Sequence, residues 1–503
     1  MAPSSSPRDA SRDEATEITS WTAVQLSRAI RARHVSCVEV MGAYLAQIER
    51  LNPKVNAIVS LQARDDLLAQ AAGRDAMLAG SHPEVGWMHG FPQAPKDLMN
   101  TAGIVTTSGS PLFRTFVPDA DSILVERIRK AGAILIGKTN VPEFGLGSHT
   151  YNSVFGTTSN AYDPTKSAGG SSGGAAVALA LNLLPVADGS DFMGSLRNPA
   201  AWNNVFGFRP SFGRVPGGPA ADVFFQQFSV EGPMARTVVD LSMLLSTIAG
   251  YDRRAPLSLD QDPSIFARPL SCDLSGTRVG WLGDFDGYLP MEAGVLDTCI
   301  RSLAHFETIG CSVEAARPDF PMERLWRAWL VIRAFRVAGN LAGHDADPAL
   351  RALLKPEAIW EVERGTKLTA AEVFEASADR SAWYQSLARL FERFDVLVSP
   401  SAQVFPFDKQ LDWPKAIAGR AMDTYHRWME VVIGGTLAGL PVLNVPAGFG
   451  PGGLPMGLQI IGRPRADLAV LQIGHAYEAV CGYTSTRSPL LGPAGSQAPG
   501  SAG

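Results

Sequence analysis

The chain has 503 residues, with 44 Lys and Arg against 49 Asp and Glu, which gives a formal net charge of −5 at pH 7. Hydrophobic residues make up 46% and charged residues 18%. This excludes intrinsic disorder as the main state, because disordered chains combine low hydrophobicity with high charge. Without a basic excess to release counterions from phosphates, a nucleic-acid partner is not expected.

The five cysteines are scattered and form no CxxC pair, so we expect neither a disulfide framework nor a metal site, and a reducing, cytoplasmic location. The first 17 residues are polar and lack the apolar segment of a secretory signal. The longest apolar stretch, residues 175–187, is interrupted by Asn182 and Pro185. No membrane span and no membrane partner are therefore expected.

The chain begins with a polar segment, residues 1–18, that we predict to be disordered. A helical region follows at 19–84, in which apolar periodicity predicts helices at 22–34, 36–51 and 63–79. Ser36, with Glu39 three residues later, is typical of the start of a helix.

Residues 85–486 instead alternate short apolar runs with helical stretches, and this alternation predicts an α/β fold. A Pro-, Ser- and Asp-rich stretch at 253–275 is predicted to be a long crossing loop. Because the alternation resumes after it, we predict one large domain with a central mixed, mostly parallel twisted sheet flanked by helices. A flexible tail is predicted at 487–503. The predicted strands are 133–136, 183–187, 278–281, 312–314, 396–399, 442–445 and 456–461, and the predicted helices are 122–131, 172–182, 292–309, 322–339, 370–393 and 466–481.

The stretch from 169 to 200 carries the clearest chemical signal. It opens with Gly-Gly-Ser-Ser-Gly-Gly before an Ala-rich helix, and a second small-residue cluster at 188–195 follows an apolar run. The glycines are compatible with a tight turn needed for packing. A phosphate cradle is disfavoured, because neither a Lys-Ser/Thr pair after the glycines nor a GxGxxG pattern is present. Two serine-bearing loops joined by one helix and one strand favour hydroxyl chemistry.

This stretch closely resembles the signature of the amidase signature family of serine hydrolases. Four further motifs match the family in the right order, and the resemblance covers about residues 20–485. They are GFPQAPKDL at 90–98, GPMARTVVD at 232–240, AGLPVLNVP at 438–446 and GLPMGLQI at 453–460.

The resemblance implies a Ser–cis-Ser–Lys triad. Ser195 is then the nucleophile, Ser171 the middle serine and Lys96 the base, and the 24-residue interval between the two serines agrees with the family. It also implies a cis peptide between Gly170 and Ser171. The neighbouring Ser172 is assigned to the turn or to the helix start.

The resemblance further implies an oxyanion hole and no cofactor. Asp191 and Arg197 match signature positions and are expected to brace the loop rather than react. Met193 replaces a residue that is usually small in the family, so we expect an acyl site of different shape. The backbone N–H groups of the hole are those of Phe192, Met193, Gly194 and Ser195.

A lysine base requires an uncharged amine. Free lysine titrates near roughly 10.4, so burial must lower the pKa by about 3, at a cost of roughly 4 kcal/mol. The apolar residues around Lys96 are compatible with such burial. Of the eight histidines, His89 and His149 could line a pocket, but neither lies in a motif that specifies a base.

Aromatic residues suggest an apolar or aryl amide as the small-molecule substrate, with esters or carbamates as further possibilities. The helix at 322–339 carries Trp326, Trp329 and Phe335 with four arginines, and is either a core helix or a pocket wall. The candidate substrate contacts are Met193, Phe224, Phe225, Phe228 and Trp326.

Three functions are compatible with these motifs. The first is a free-standing amidase. The second is the A subunit of a glutamine-dependent tRNA amidotransferase, which shares the motifs but usually has a different pattern where this chain reads PGGPAADVFFQQFSVEGP, residues 216–233. The third is a non-catalytic scaffold of the same fold, disfavoured because all three triad residues are retained. A homodimer formed through the N-terminal helices is possible.

Overall fold

The computed structural model describes residues 17–80, 85–225 and 227–492. Its central element is an eight-stranded sheet. Across the sheet the strands lie in the order β5-β4-β6-β8-β7-β2-β3-β1. In chain order they are β1 (Ala187–Asp191), β2 (Phe206–Arg209), β3 (Val230–Ala235), β4 (Arg278–Trp281), β5 (Ser312–Ala315), β6 (Val396–Pro400), β7 (Val442–Phe449) and β8 (Pro455–Gly462).

The sheet is mixed, which confirms the predicted α/β architecture, but the expectation of mostly parallel strands is wrong. Among the described residues, β4 pairs in parallel with β5 and β6. The other five pairs, β6–β8, β8–β7, β7–β2, β2–β3 and β3–β1, are antiparallel. The short connection between β7 and β8 shows the reason, since parallel neighbours need a crossover of a dozen or more residues.

Three helices form the N-terminal region, and they belong to the same hydrophobic core as the sheet. They are α1 (Ala23–Arg31), α2 (Cys37–Val55) and α3 (Arg64–Leu78). Capping boxes start α1 at Thr22 and α2 at Ser36, the latter as predicted. The backbone N–H groups of Ala23 and Val24 donate to the Asp240 carboxylate at 2.9 and 3.0 Å. The N-terminal helical region is thus fastened to the α/β domain.

The remaining helices cover both faces of the sheet. Leu443 of β7 meets Gly474 of α14 on one face, while Gly457 of β8 meets Ala201 of α6 on the other. These helices are α4 (Ile123–Lys130), α5 (Gly173–Ala180), α6 (Arg197–Trp202), α7 (Val238–Ile248), α8 (Val295–Thr308), α9 (Met322–Asp345), α10 (Pro348–Arg351), α11 (Pro356–Gly365), α12 (Ala370–Leu390), α13 (Ile433–Leu437) and α14 (Asp467–Cys481). Within the described ranges, none of the helices has the length and apolar character needed to cross a membrane.

The first strand of the sheet differs from the prediction. The apolar run at 183–187 is buried, but the strand begins only at Ala187 and continues through Asp188 and Ser190 to Asp191. Pairing with β3 along its whole length holds this polar segment extended. Tertiary pairing therefore overrides the weak strand propensity of Gly, Ser and Asp.

Both predicted terminal segments lie mainly outside the described residues, which exclude 1–16 and 493–503. In the tail predicted at 487–503, Ser488 is buried and its hydroxyl donates to the carbonyl of Ala161 at 2.6 Å. The packed domain thus extends past residue 486.

Candidate active site

A cavity of about 380 Å³ brings three serines together: Ser171, Ser190 and Ser195 all line it. They come from the loop before α5, from β1 and from the turn after β1. The chain from 212 to 231, which leads into β3, supplies much of the remaining wall. The two small-residue clusters singled out in the sequence therefore meet at one cavity.

Lys96 reaches this group of serines from the segment after the short strand Pro92–Gln93. Its backbone is bridged to Thr139, and its N–H donates to Asp188 Oδ2 at 3.0 Å. The side chain is fully buried. The bridge to Thr139 and the hydrogen bond to Asp188 of β1 thus fix the backbone of Lys96, and with it the position from which its amine reaches the serines.

The amine of Lys96 contacts three hydroxyl groups. Nζ lies 2.7 Å from Ser171 Oγ, 2.8 Å from Ser172 Oγ and 3.0 Å from Ser190 Oγ. Ser172 is the N-cap residue of α5, in line with its assignment to the helix start, but its side chain makes no capping hydrogen bond. Its hydroxyl serves the lysine instead.

Burial lowers the pKa of Lys96 from 10.5 to about 7, while the carboxylates of Asp191 and Asp188 oppose this effect. A neutral amine has two N–H donors and one lone pair. The donors fit Ser172 and Ser190, and the lone pair can then accept the hydroxyl proton of Ser171. Near neutral pH the site thus contains an amine capable of acting as a base.

The loop that carries Ser171 is fixed by hydrogen bonds from side chains of a neighbouring segment. The peptide between Gly170 and Ser171 is cis, as predicted. The hydroxyl of Ser148 donates to the Gly170 carbonyl at 2.6 Å, and that of Thr150 donates to the Gly169 carbonyl at 2.8 Å. The carbonyl of the cis peptide and the carbonyl before it are thereby hydrogen-bonded.

Asp191 and Arg197 brace the turn that carries Ser195, as expected. Their buried side chains form an ion pair at 2.9 Å, and Arg197 also donates to the Val432 carbonyl at 2.8 Å. Burial alone would raise the pKa of Asp191, but Arg197 and Arg209 hold it well below its usual range. The loop is therefore anchored by a permanently charged carboxylate.

The same carboxylate occupies one of the four expected oxyanion donors. The N–H of Gly194 donates to Asp191 Oδ1 at 2.9 Å. The N–H groups of Phe192, Met193 and Ser195 donate to no other group in the described part of the chain. Three of the four expected donors are thus without a hydrogen-bond partner among the described residues.

The aromatic residues expected to contact substrate do not line the cavity. Phe224 and Phe225 are exposed, at 62% and 68%, whereas Met193 is buried at 3%. Phe228 packs with its ring centroid 6.3 Å from that of Phe192, and the Trp326 ring lies against His426. Substrate contact by these five side chains therefore has no support from the geometry.

Other residues form the wall. The apolar part includes Phe192 and side chains from five separate segments, namely Leu98, Met99, Phe144, Leu146, Val215, Leu257 and Val337. Its charged members are Asp222, Glu231 and Arg336. The cavity wall thus combines apolar side chains with an almost equally large polar part.

Ser190 and Glu231 are functional candidates that the sequence analysis missed. They face each other on β1 and β3, where Ser190 is the register partner of Glu231. Asp188 and Ser190 are two residues apart, so in a strand their side chains project from the same face. This signal for a polar site can be recognised only when the strand is placed at 187–191.

The two histidines considered as bases have other partners. His89 Nε2 lies 2.9 Å from the Arg74 carbonyl, and His149 bonds to Ser167 Oγ at 2.7 Å. Burial also lowers the pKa of His149 to about 4. Over the residues that the structure describes, no cluster of three or more His, Cys, Asp or Glu side chains could hold a metal ion.

The chain is similar to known proteins along most of its length. A family model described as Amidase matches residues 39–471. The chain is 34% identical over 483 residues to the A subunit of the glutamyl-tRNA(Gln) amidotransferase of Thermosynechococcus vestitus, covering 90% of this chain and 96% of that one.

Two solved structures are also similar. A bacterial aryl acylamidase of the amidase signature enzymes superposes with a TM-score of 0.87 at 27% identity, covering 95% of this chain and 100% of that chain. The A subunit of the glutamyl-tRNA(Gln) amidotransferase from Thermotoga maritima superposes with a TM-score of 0.72 at 26% identity, covering 92% and 95%.

Proposed function

Since the chain belongs to the amidase signature family, we propose that it cleaves the C–N bond of carboxylic amides through an acyl-enzyme on Ser195. The observation that carries the proposal is a fully buried lysine amine, 2.7 Å from Ser171, at a cavity that Ser171 shares with Ser195. A serine hydroxyl becomes a competent nucleophile only when a base removes its proton.

Acylation begins with two coupled proton transfers. Neutral Lys96 accepts the proton of Ser171, Ser171 accepts that of Ser195, and Ser195 Oγ attacks the amide carbonyl carbon. The resulting oxyanion accepts hydrogen bonds from the N–H groups of Phe192, Met193 and Ser195, without Gly194, whose N–H is already engaged. Each such donor is typically worth about 3 kcal/mol.

The protons then return. The ammonium of Lys96 passes a proton through Ser171 to the departing nitrogen, the C–N bond breaks, and an ester to Ser195 remains. Water, deprotonated by the same relay, attacks the ester, and the acid leaves as Ser195 recovers its proton. Every proton taken up by Lys96 is given back within one cycle.

A serine-directed fluorophosphonate probe tests the nucleophile. We expect labelling of the wild type at Ser195, none in Ser195→Ala, and strongly reduced labelling in Lys96→Met. Ser246→Ala, which removes a hydroxyl bonded within α7, is the matched control and should label fully. A folded wild type that is not labelled would favour the non-catalytic scaffold.

The structure supports a free-standing amidase acting on apolar or aryl amides. The TM-score is higher against the aryl acylamidase than against the amidotransferase A subunit, and the wall of the cavity includes apolar side chains from several segments. The purified chain alone should then hydrolyse aryl or aliphatic amides. A panel of aryl, aliphatic, lactam and peptide amides, with Ser195→Ala as blank, measures this.

A second candidate is the glutamine-hydrolysing A subunit of a tRNA amidotransferase. Sequence identity favours it, because the curated relatives at 34% and 36% identity carry that name and are covered almost end to end. The acyl-enzyme chemistry is the same, with glutamine as substrate. Ammonia release from glutamine only with co-purifying subunits, together with no activity on the amide panel, would establish this candidate.

A further inference from the structure

Glu231 places a carboxyl group in the cavity beside the lysine relay. In the antiparallel pair of β1 and β3 it lies directly opposite Ser190. Cross-strand partners project from the same face of a sheet. Ser190 Oγ is 3.0 Å from Lys96 Nζ, so Glu231 projects from the face that carries the reactive groups.

The Glu231 carboxyl has no partner in the described part of the chain. It forms no hydrogen bond or ion pair there, and its Oε2 atom is enclosed without one. Burial, with a smaller effect of Asp188, raises the pKa of Glu231 to about 8, and Arg127 opposes this only partly. A carboxyl held in this way is stabilised when a donor reaches it.

The other charges on the cavity wall are already matched. Asp222 and Arg336 form an ion pair at 3.2 Å. Glu231 is therefore a carboxyl on the wall without an ion-pair partner among the described residues, and because its pKa is raised to about 8, an ammonium group bound beside it would favour its charged, hydrogen-bond-accepting form.

We infer that Glu231 is a specificity-determining residue that accepts a hydrogen bond from an amino or ammonium group of the substrate, separate from the amide that is cleaved. The preferred substrates are then amides with an apolar or aryl body and an additional amine. This inference rests on the proposed function, because it concerns the selectivity of the same site.

Two matched substrate pairs test the inference. On the acyl side, 4-(aminomethyl)benzamide is compared with 4-methylbenzamide. On the amine side, N-[4-(aminomethyl)benzyl]acetamide is compared with N-(4-methylbenzyl)acetamide. The readout is the ratio of kcat/KM between amino and neutral members, which a general folding defect leaves unchanged because it affects both.

We expect a ratio of roughly tenfold or more in favour of the amine in at least one pair, since hydrogen bonds to charged groups are the strong ones. Glu231→Gln should bring the ratio close to one. Asp222→Asn removes a carboxylate from another part of the wall and should keep the preference, which separates direct contact with Glu231 from the general potential of the cavity.

A wild-type ratio near one in both pairs, or a ratio that Glu231→Gln leaves unchanged, overturns the inference. The proposed function still holds in that case if the neutral amides are hydrolysed and the fluorophosphonate probe labels Ser195. If Ser195 is not labelled and no amide is hydrolysed, the function and the inference fall together.

Discussion

The charge state of Lys96 decides at the level of single residues whether the proposed relay works. Its amine is buried among Ser171, Ser172 and Ser190, and its pKa is lowered to about 7 because burial penalises the ammonium form. Hydroxyl groups accept hydrogen bonds from the amine without imposing a full negative charge beside it. The geometry therefore permits both protonation states within a narrow range of pH.

Activity should follow the deprotonation of Lys96. Because only the neutral amine can accept the proton of Ser171, kcat/KM should fall about tenfold for each pH unit below about 7 and level off above it. A neutral amide assayed from pH 5 to 9 measures this, with circular dichroism as the control for folding. A flat profile would argue against a lysine base.

Ser190 should matter although no motif assigns it a role. Removing its hydroxyl in Ser190→Ala deprives Lys96 of an acceptor at 3.0 Å, so kcat/KM should fall roughly tenfold. Accepted hydrogen bonds favour the ammonium form, so the acidic limb of the pH profile should also move to lower pH. Ser190→Thr, which keeps a hydroxyl, should restore most of the rate. Equal rates in wild type and Ser190→Ala would contradict this role.

At the level of residues, the sequence identified the side chains that belong to the family motifs. It missed those that come together only through the pairing of β1 with β3. The resemblance identifies Lys96, Ser171 and Ser195. In the structure Ser171 and Ser195 line one cavity, and the amine of Lys96 contacts Ser171. Ser190 and Glu231 are brought together by strand register, which the misplaced strand at 183–187 concealed.

Among the helices, α9 connects the active-site loop to a buried polar cluster. The guanidinium of Arg333 pairs with Glu361 of α11 and donates to the hydroxyl of Tyr425. The rings of Phe192 and Trp329 lie 5.5 and 5.8 Å from it. Since Phe192 belongs to the turn before Ser195, this cluster helps to position that turn.

Breaking this pair should be costly. Arg333→Gln leaves Glu361 buried without its cation, and the free energy of unfolding should fall by about 3–5 kcal/mol. Arg324→Gln, on the same helix, breaks the more exposed pair with Asp379 and should cost much less. Urea denaturation of both variants measures the difference. Equal losses of unfolding free energy in the two variants would show that burial does not determine how much these ion pairs contribute to stability.

The two expectations for the helix at 322–339 both describe part of α9. Trp326 and Trp329 are buried in the core, while Arg336 and Val337 line the cavity. Arg333 is buried rather than extended to solvent, because Glu361 and the rings around it replace water. Its partners lie on distant parts of the chain, so local periodicity could not identify them.

For the whole molecule, a continuous hydrophobic core is the dominant feature. One buried cluster contains residues from Ile18 to Cys481 and includes the N-terminal helices together with the central sheet. The sequence predicted a single large α/β domain, and strand positions such as 278–281 agree with the structure. Strand direction was not predictable, because it depends on which segments become neighbours.

A substitution in α1 should therefore weaken the entire domain. Leu26 is fully buried, so Leu26→Ala should lower the free energy of unfolding by about 2–5 kcal/mol. Val38→Ala on α2, at a site that is 37% exposed, should cost under about 1 kcal/mol. Tryptophan fluorescence and amide hydrolysis, followed in parallel during urea denaturation, should disappear together. Activity lost well before fluorescence would contradict one continuous core.

The wall from 212 to 231 approaches the three serines from a stretch of chain separate from Lys96 and from the signature loops. In the proposed enzyme, the segment that would contact the substrate and the residues that would transfer protons thus lie apart in the sequence. A mutant library confined to 212–231 offers a route to new substrate ranges by directed evolution, with the proton relay left untouched.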